Sequence, residues 1–206
     1  MKLLNPNDSY TFSRYAELPY DPEDLLAEFD CGLNNEDLEL PKFNHPLPFL
    51  IDLEQTLRRS LRLVDLTSEI ARRETLIAPI LLAVCHFVDT RLKIEYPVNV
   101  SNLLRGSFDY YIPALNNLLV IEAKQADLSR GFVQLAVELI ALDQWIDSDA
   151  PILYGAVTTG DAWKIGQFDR QQRKITRDIN LYSVPSDLET VVRLLVGILN
   201  PRQDTV

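Results

Sequence analysis

Hydrophobic and polar positions change their period twice along this chain. Over residues 51–63, and more strongly over 67–87, apolar residues recur at helical spacing, and Ile70, Leu76, Ile77, Ile80, Leu81 and Val84 are available for burial. Residues 91–98 then alternate as a half-buried strand does. A second strand is expected over 107–112, ended by a turn at 113–117. A third, over 118–123, carries a continuous apolar run that indicates burial on both faces in the middle of a sheet. Helical spacing returns over 128–146. Residues 151–159 read as a strand that turns at Gly160 and Asp161 into another over 163–168. A last helix is expected over 186–199, with Ser186 and Glu189 spaced as a capping box and Pro201 beyond its end. This order predicts an α/β fold in which helices flank a central mixed β-sheet.

Residues 1–50 have a different texture, rich in Pro, Asn, Asp and Glu with scattered aromatics. Asp21 as N-cap, Pro22 at the first helical position and acids in the first turn predict a short helix there. The remainder reads as an acidic N-terminal arm packed on a core domain of residues 51–206, because Tyr10, Phe12, Tyr15, Tyr20 and Phe29 would be wasteful in solvent. A chain of 206 residues with 47% hydrophobic content can bury a substantial core. No apolar run reaches membrane-spanning length, and the N-terminus lacks the pattern of a secretory signal. Cys31 and Cys85 lie far apart and suggest reduced thiols. The expectation is a cytoplasmic protein with no membrane partner.

The net charge of −10 argues at first against a nucleic-acid partner. Its distribution weakens that objection. Residues 1–50 hold ten acids and three bases, whereas residues 51–206 hold twenty acids and seventeen bases. Arg170, Arg173, Lys174 and Arg177 offer one phosphate contact, although four bases in a hairpin are more often a solvated surface.

The candidate chemistry lies at Asp109, Glu122 and Lys124. Residues two apart on a strand share a face, so Glu122 and Lys124 project together, and Asp109 on the preceding strand can sit beside Glu122. Two neighbouring carboxylates repel unless a cation lies between them, and oxygen ligands with open water positions suit Mg²⁺ or Mn²⁺. Lys124 could orient the attacking water or offset developing negative charge. The bland alternative is an exposed Glu122–Lys124 pair at a strand end, with Asp109 merely starting a turn.

Gly106 and Asp109, then the apolar strand leading into Glu122, Ala123 and Lys124, then Gln134 on the following helix, resemble the PD-(D/E)xK nuclease superfamily. The likeness is to the N-terminal nuclease domains of type I restriction enzyme motor subunits. There, a helix before the sheet carries residues at the spacing of Glu69, Arg73, Ile77, Pro79 and Leu81 here. The stretch from Tyr154 to Trp163 is similar to the strand and turn that follow the Gln helix. The likeness covers residues 66–168, and it implies a restriction-endonuclease-like core.

By position, the resemblance implies that Asp109, Glu122 and the carbonyl of Ala123 hold the metal. It makes Lys124 the group acting on the water, Glu69 an outer ligand from the first helix, and Gln134 a residue that stabilises the site or touches the substrate backbone. Glu74 competes with Glu69, since residues five apart on an α-helix cannot point the same way. A solvated polar position is the bland reading of Gln134. Phe108 stands where the family name has proline.

Other residues invite less. His86 suits a capping or core role, and Trp145 and Trp163 suit packing. Of Tyr110 and Tyr111 one must face the core, while the other could stack on a base. The functional expectation is a metal-dependent nuclease hydrolysing DNA. The alternative is an inactive nuclease-fold module that binds protein or nucleic acid, with residues 1–50 serving a homodimer or a protein partner.

Overall fold

Asp21, Ser68 and Asp127 cap the helices that follow them, and apolar faces that must be covered place much of the rest. The computed structural model describes residues 2–114, 116, 118–122 and 127–200, and of residues 119–122 the backbone. The N-terminal stretch forms two short helices, α1 (Phe12–Tyr15) and α2 (Pro22–Ala27), and a strand, β1 (Gly32–Glu36). Asp21 caps α2 as expected, its carboxylate accepting from the backbone N–H of Glu23. Helix α3 (Leu50–Ser60) follows, then α4 (Glu69–Arg72), a π-helical segment (Arg73–Ile77) and α5 (Ala78–Phe87). The sheet begins with β2 (Lys93–Asn99), β3 (Arg105–Ile112) and β4 (Leu118–Glu122). It continues after α6 (Leu128–Trp145) with β5 (Ile152–Thr158), β6 (Ala162–Asp169), β7 (Lys174–Asp178) and β8 (Tyr182–Ser183), and α7 (Leu188–Leu199) closes the chain's described part.

Seven strands lie in the order β1-β7-β6-β5-β4-β3-β2, and β8 pairs with part of β6. β1 runs parallel to β7 and β4 parallel to β5, while the other pairs are antiparallel. The sheet is therefore mixed, and helices flank it. One face is covered by α3, α5 and α7, which bury Leu57, Ile80, Leu81, Val84, Val192 and Leu195 with Trp163 of β6. The other is covered by α6, over which the N-terminal residues Tyr10, Phe12 and Tyr15 pack. Helix α6 sits very close to the sheet: a Cβ at Gly155 would lie 2.6 Å from Leu135 Cδ1. Among the described residues no helix is long and apolar enough to cross a membrane.

Several local expectations change. The helix expected over 67–87 is interrupted by the π segment, in which the backbone N–H of Ala78 reaches back five residues to the carbonyl of Arg73. Pro79 explains its place, because proline has no N–H and its ring crowds the carbonyl four residues earlier. The extra residue rotates the preceding turn relative to α5, and Ile70, expected in the core, is 72% exposed. Ser186 does not cap the last helix. The Asp187 carboxylate accepts from the Ser183 N–H instead, and Glu189 pairs with Arg193 at 2.9 Å. Trp163 is packed as expected, with Nε1 donating to the Gly160 carbonyl, but Trp145 is 41% exposed.

Strands β1 and β7 have no counterpart in the sequence reading. Their pairing accounts for the basic cluster expected at a phosphate or in solvent. Arg170 and Arg173 both bond Asp143, at 2.6 and 3.1 Å, and Lys174 bonds Glu36 at 2.9 Å. Arg177 donates to Asn35 Oδ1 at 2.6 Å. These bases tie the β6–β7 hairpin to α6 and to β1. Within residues 1–50, Tyr10, Phe12 and Tyr15 are buried, while Tyr20 is exposed.

Candidate functional site

One cleft of about 350 Å³ gathers residues from five parts of the chain. Strand β3 supplies its floor, with Gly106, Ser107 and Asp109. Glu69 and Arg73, one helical turn apart on α4 and the π segment, form one wall. Thr11, Phe12 and Ser13 form another. Glu95 of β2 and Gln134 of α6 complete the lining.

The N-terminal wall is fixed by backbone and ring contacts. Thr11 bridges to Arg105 in parallel, the Tyr10 N–H donates to the Asn102 carbonyl at 2.8 Å, and Tyr15 Oη donates to the Leu103 carbonyl at 2.6 Å. Phe12 stacks on Phe108 with ring centroids 5.4 Å apart. Gly106 makes this approach possible. Its φ is +144°, and a Cβ there would lie 2.8 Å from the Phe12 ring.

Asp109 faces a second carboxylate across the sheet. Ile94 lies opposite Tyr110 and Tyr96 opposite Phe108, which sets Glu95 across from Asp109. Glu95 adopts φ +50°, a left-handed conformation that costs a non-glycine residue about 1–3 kcal/mol. Arg73 holds it there: Nη1 donates to Glu95 Oε1 at 2.8 Å, and Nε donates to the Tyr110 hydroxyl at 3.2 Å. Burial acts to lower the Arg73 pKa, but the bonds to Tyr110 and Glu95 and the charge of Asp109 outweigh it, so the net shift is upward. Burial raises the Tyr110 hydroxyl, against the pull of Arg73. Tyr110 and Tyr111 are both buried, so neither ring stands ready to stack on a base.

Gln134 is only 5% exposed, so it is not a solvated position on an amphipathic helix. Its Nε2 donates to Glu138 Oε1 at 2.8 Å, one turn along α6. Glu138 has no exposure, and its Oε2 finds no hydrogen-bond partner among the described residues. Burial pushes its carboxyl well above the usual carboxylate range, the charges of Asp109 and Glu95 add to that, and the bond from Gln134 opposes it.

Three expected site residues, Asp109, Glu69 and Gln134, thus meet in one cleft. Glu74 is exposed and does not line it. Glu122 ends β4, its backbone opposite Thr158 of β5. Tyr110 lies across from Val120, and counting on places Asp109 level with the last residues of β4, one position out of step with Glu122. The Glu122 side chain, Ala123 and Lys124 lie outside the described residues. The lining donors are carboxylate and amide oxygens, hard ligands of the kind Mg²⁺ and Mn²⁺ take. Among the described residues, no group of three or more His, Cys, Asp or Glu is placed to hold a metal by itself.

The sequence reading missed Glu95 and Glu138. Glu95 sits in an alternating strand, where an acid reads as a solvent-facing position. Glu138 had a signal. From Gly131 to Leu142, Gln134 and Glu138 are the only polar residues, four apart on an otherwise apolar helix. Comparison of the chain with family profiles, curated proteins and solved structures yields no match.

Proposed function

We propose that the protein hydrolyses DNA phosphodiester bonds with a divalent metal ion, Mg²⁺ or Mn²⁺, on a restriction-endonuclease-like core of the PD-(D/E)xK type. The observation that carries this reading is the convergence of Asp109, Glu69 and Gln134, from three separate elements, on one cleft level with the end of β4. Excess carboxylate supports it as well. Glu69, Glu95 and Asp109 share the cleft with Arg73 as its one basic lining residue among those described. Like charges held close together favour an added cation.

In this reading Asp109, Glu122 and the Ala123 carbonyl hold the metal, and Glu69 approaches as an outer ligand. A divalent ion there supplies a water of lowered pKa and offsets charge on a phosphoryl oxygen. Lys124 orients the attacking water. Arg73, occupied with Glu95 and Tyr110, keeps Glu95 from competing with Asp109 for the ion.

The test is nicking of supercoiled plasmid by purified protein in Mn²⁺. Wild type should nick, and Asp109→Ala and Lys124→Ala should each lose about 10²-fold or more in rate. Equal rates in all three proteins would remove the assignment. A second reading, a nuclease-fold module that binds without cutting, is favoured by the wall of Thr11, Phe12 and Ser13 that narrows the cleft. Retained DNA affinity with no nicking in wild type would decide for it.

A further inference from the structure

Glu138 is the one buried side chain among the described residues with a polar atom left unpartnered. An acid without exposure, half of whose carboxyl lacks a partner, lowers the stability of the fold that contains it. A leucine at this position would continue the buried apolar run of α6, which already holds Leu135, Val137, Leu139 and Leu142. Such a residue belongs to the places where local rules are broken for function. Its one bond points to that function, because it goes to Gln134, which lines the cleft.

Only the NH₂ end of the amide can donate to the carboxyl oxygen. With Nε2 turned toward Glu138, one N–H is used there and the carbonyl oxygen is the end of the Gln134 amide turned away from it. We infer that Glu138 is a positioning residue. It anchors the Gln134 amide so that an acceptor oxygen, rather than a donor, faces the Asp109 cleft, which suits the cleft to a hydrated divalent cation rather than to a bare anion. The inference rests on the metal-site reading above. It adds a specific role for a residue that touches neither ion nor substrate. Among the described residues, Glu95 and Asp109 are charged groups whose fields reach Glu138, so an acceptor added by Gln134 increases the cleft's demand for positive charge.

The experiment compares wild type, Glu138→Leu and Glu138→Gln in three measurements: Mn²⁺ affinity by calorimetry, hydrogen-exchange protection of the Gln134 side-chain amide by NMR, and the thermal midpoint. Glu138→Gln keeps a carbonyl acceptor for Gln134, so its Mn²⁺ affinity should stay within about threefold of wild type. In Glu138→Leu the amide should lose its protection and Mn²⁺ affinity should fall about tenfold or more, the usual cost of losing an outer-shell partner. The thermal midpoint should hold or rise. A merely structural role predicts the reverse, a lowered midpoint with unchanged affinity. Full Mn²⁺ affinity in Glu138→Leu, or an unprotected Gln134 amide in wild type, would overturn the inference while leaving the metal site standing. No Mn²⁺ binding by wild type, with the amide protected, would instead remove the metal reading and this role with it.

Discussion

Asp143 and Asp109 each lie near arginine, and their surroundings differ in balance. Asp143, on α6, is shared by Arg170 and Arg173, which also donate to the backbone carbonyls of Ser148, Ala150 and Phe29. Two bases meet one acid, and both guanidinium groups also reach fixed backbone partners. Among the described residues that line the cleft the ratio reverses. Asp109, Glu69 and Glu95 line it beside Arg73, and buried Glu138 lies behind. A charge cluster that serves only the fold tends toward closure, since an unpaired buried charge is costly. An excess of acids in a solvent-open cleft is what the proposed metal reading draws on. This contrast, more than any single residue, is the ground on which the cleft is proposed as the functional region.

The contrast can be broken from either side. The largest stability effect belongs to the closed cluster. Asp143→Ala should cost about 2–3 kcal/mol in denaturant unfolding, because two half-buried arginines lose their shared acceptor, and it should leave Mn²⁺ affinity unchanged. Glu138→Gln should act in the opposite direction, stabilising by about 1–2 kcal/mol at pH 8. The sign follows from the raised pKa. Glu138's favourable contribution to folding is complete below the ordinary carboxylate range and is lost as pH rises toward its raised folded value. The gain in thermal midpoint should therefore shrink as pH falls toward 4. A gain of equal size at both pH values would show that Glu138 does not titrate as its burial requires.

Smaller effects sharpen the picture. Arg73→Lys replaces a planar fork by one ammonium, which cannot serve both Tyr110 and Glu95 as the guanidinium does. It should cost under about 1 kcal/mol in urea unfolding, since Glu95 is largely exposed. Glu95 should also leave its left-handed conformation, detectable in its backbone amide shift. Lys174→Ala breaks an exposed pair with Glu36 and should not change the unfolding midpoint measurably.

Much of this fold can be read along the chain because its signals are local. Helical spacing on α3, α5 and α6, the apolar β4 run, and the Asp21 cap all depend on neighbours within a few residues. The parts that cannot be read are long-range. β1 is Gly-Leu-Asn-Asn-Glu, with little strand propensity, and becomes a strand by pairing with β7 some 140 residues later. The four bases near residue 170 look like a free patch until that pairing supplies Asp143, Glu36 and Asn35 as partners. At the candidate site the same division holds. Asp109 sits where strand placement could suggest it, whereas Glu69 and Gln134 come from the family resemblance alone. Glu95 joins them only through register across β2 and β3, and through a backbone conformation that alternation does not encode. The wall of Thr11, Phe12 and Ser13 depends on Gly106 accepting the Phe12 ring, a contact nearly a hundred residues apart in sequence.

The most direct measurement is calorimetric titration of Mn²⁺ into wild type, Asp109→Asn and Asp143→Asn at neutral pH. Saturable binding to wild type and Asp143→Asn, with affinity lowered about tenfold or more in Asp109→Asn, is the expected result. Isotherms that are the same for wild type and Asp109→Asn would contradict a metal site in this cleft.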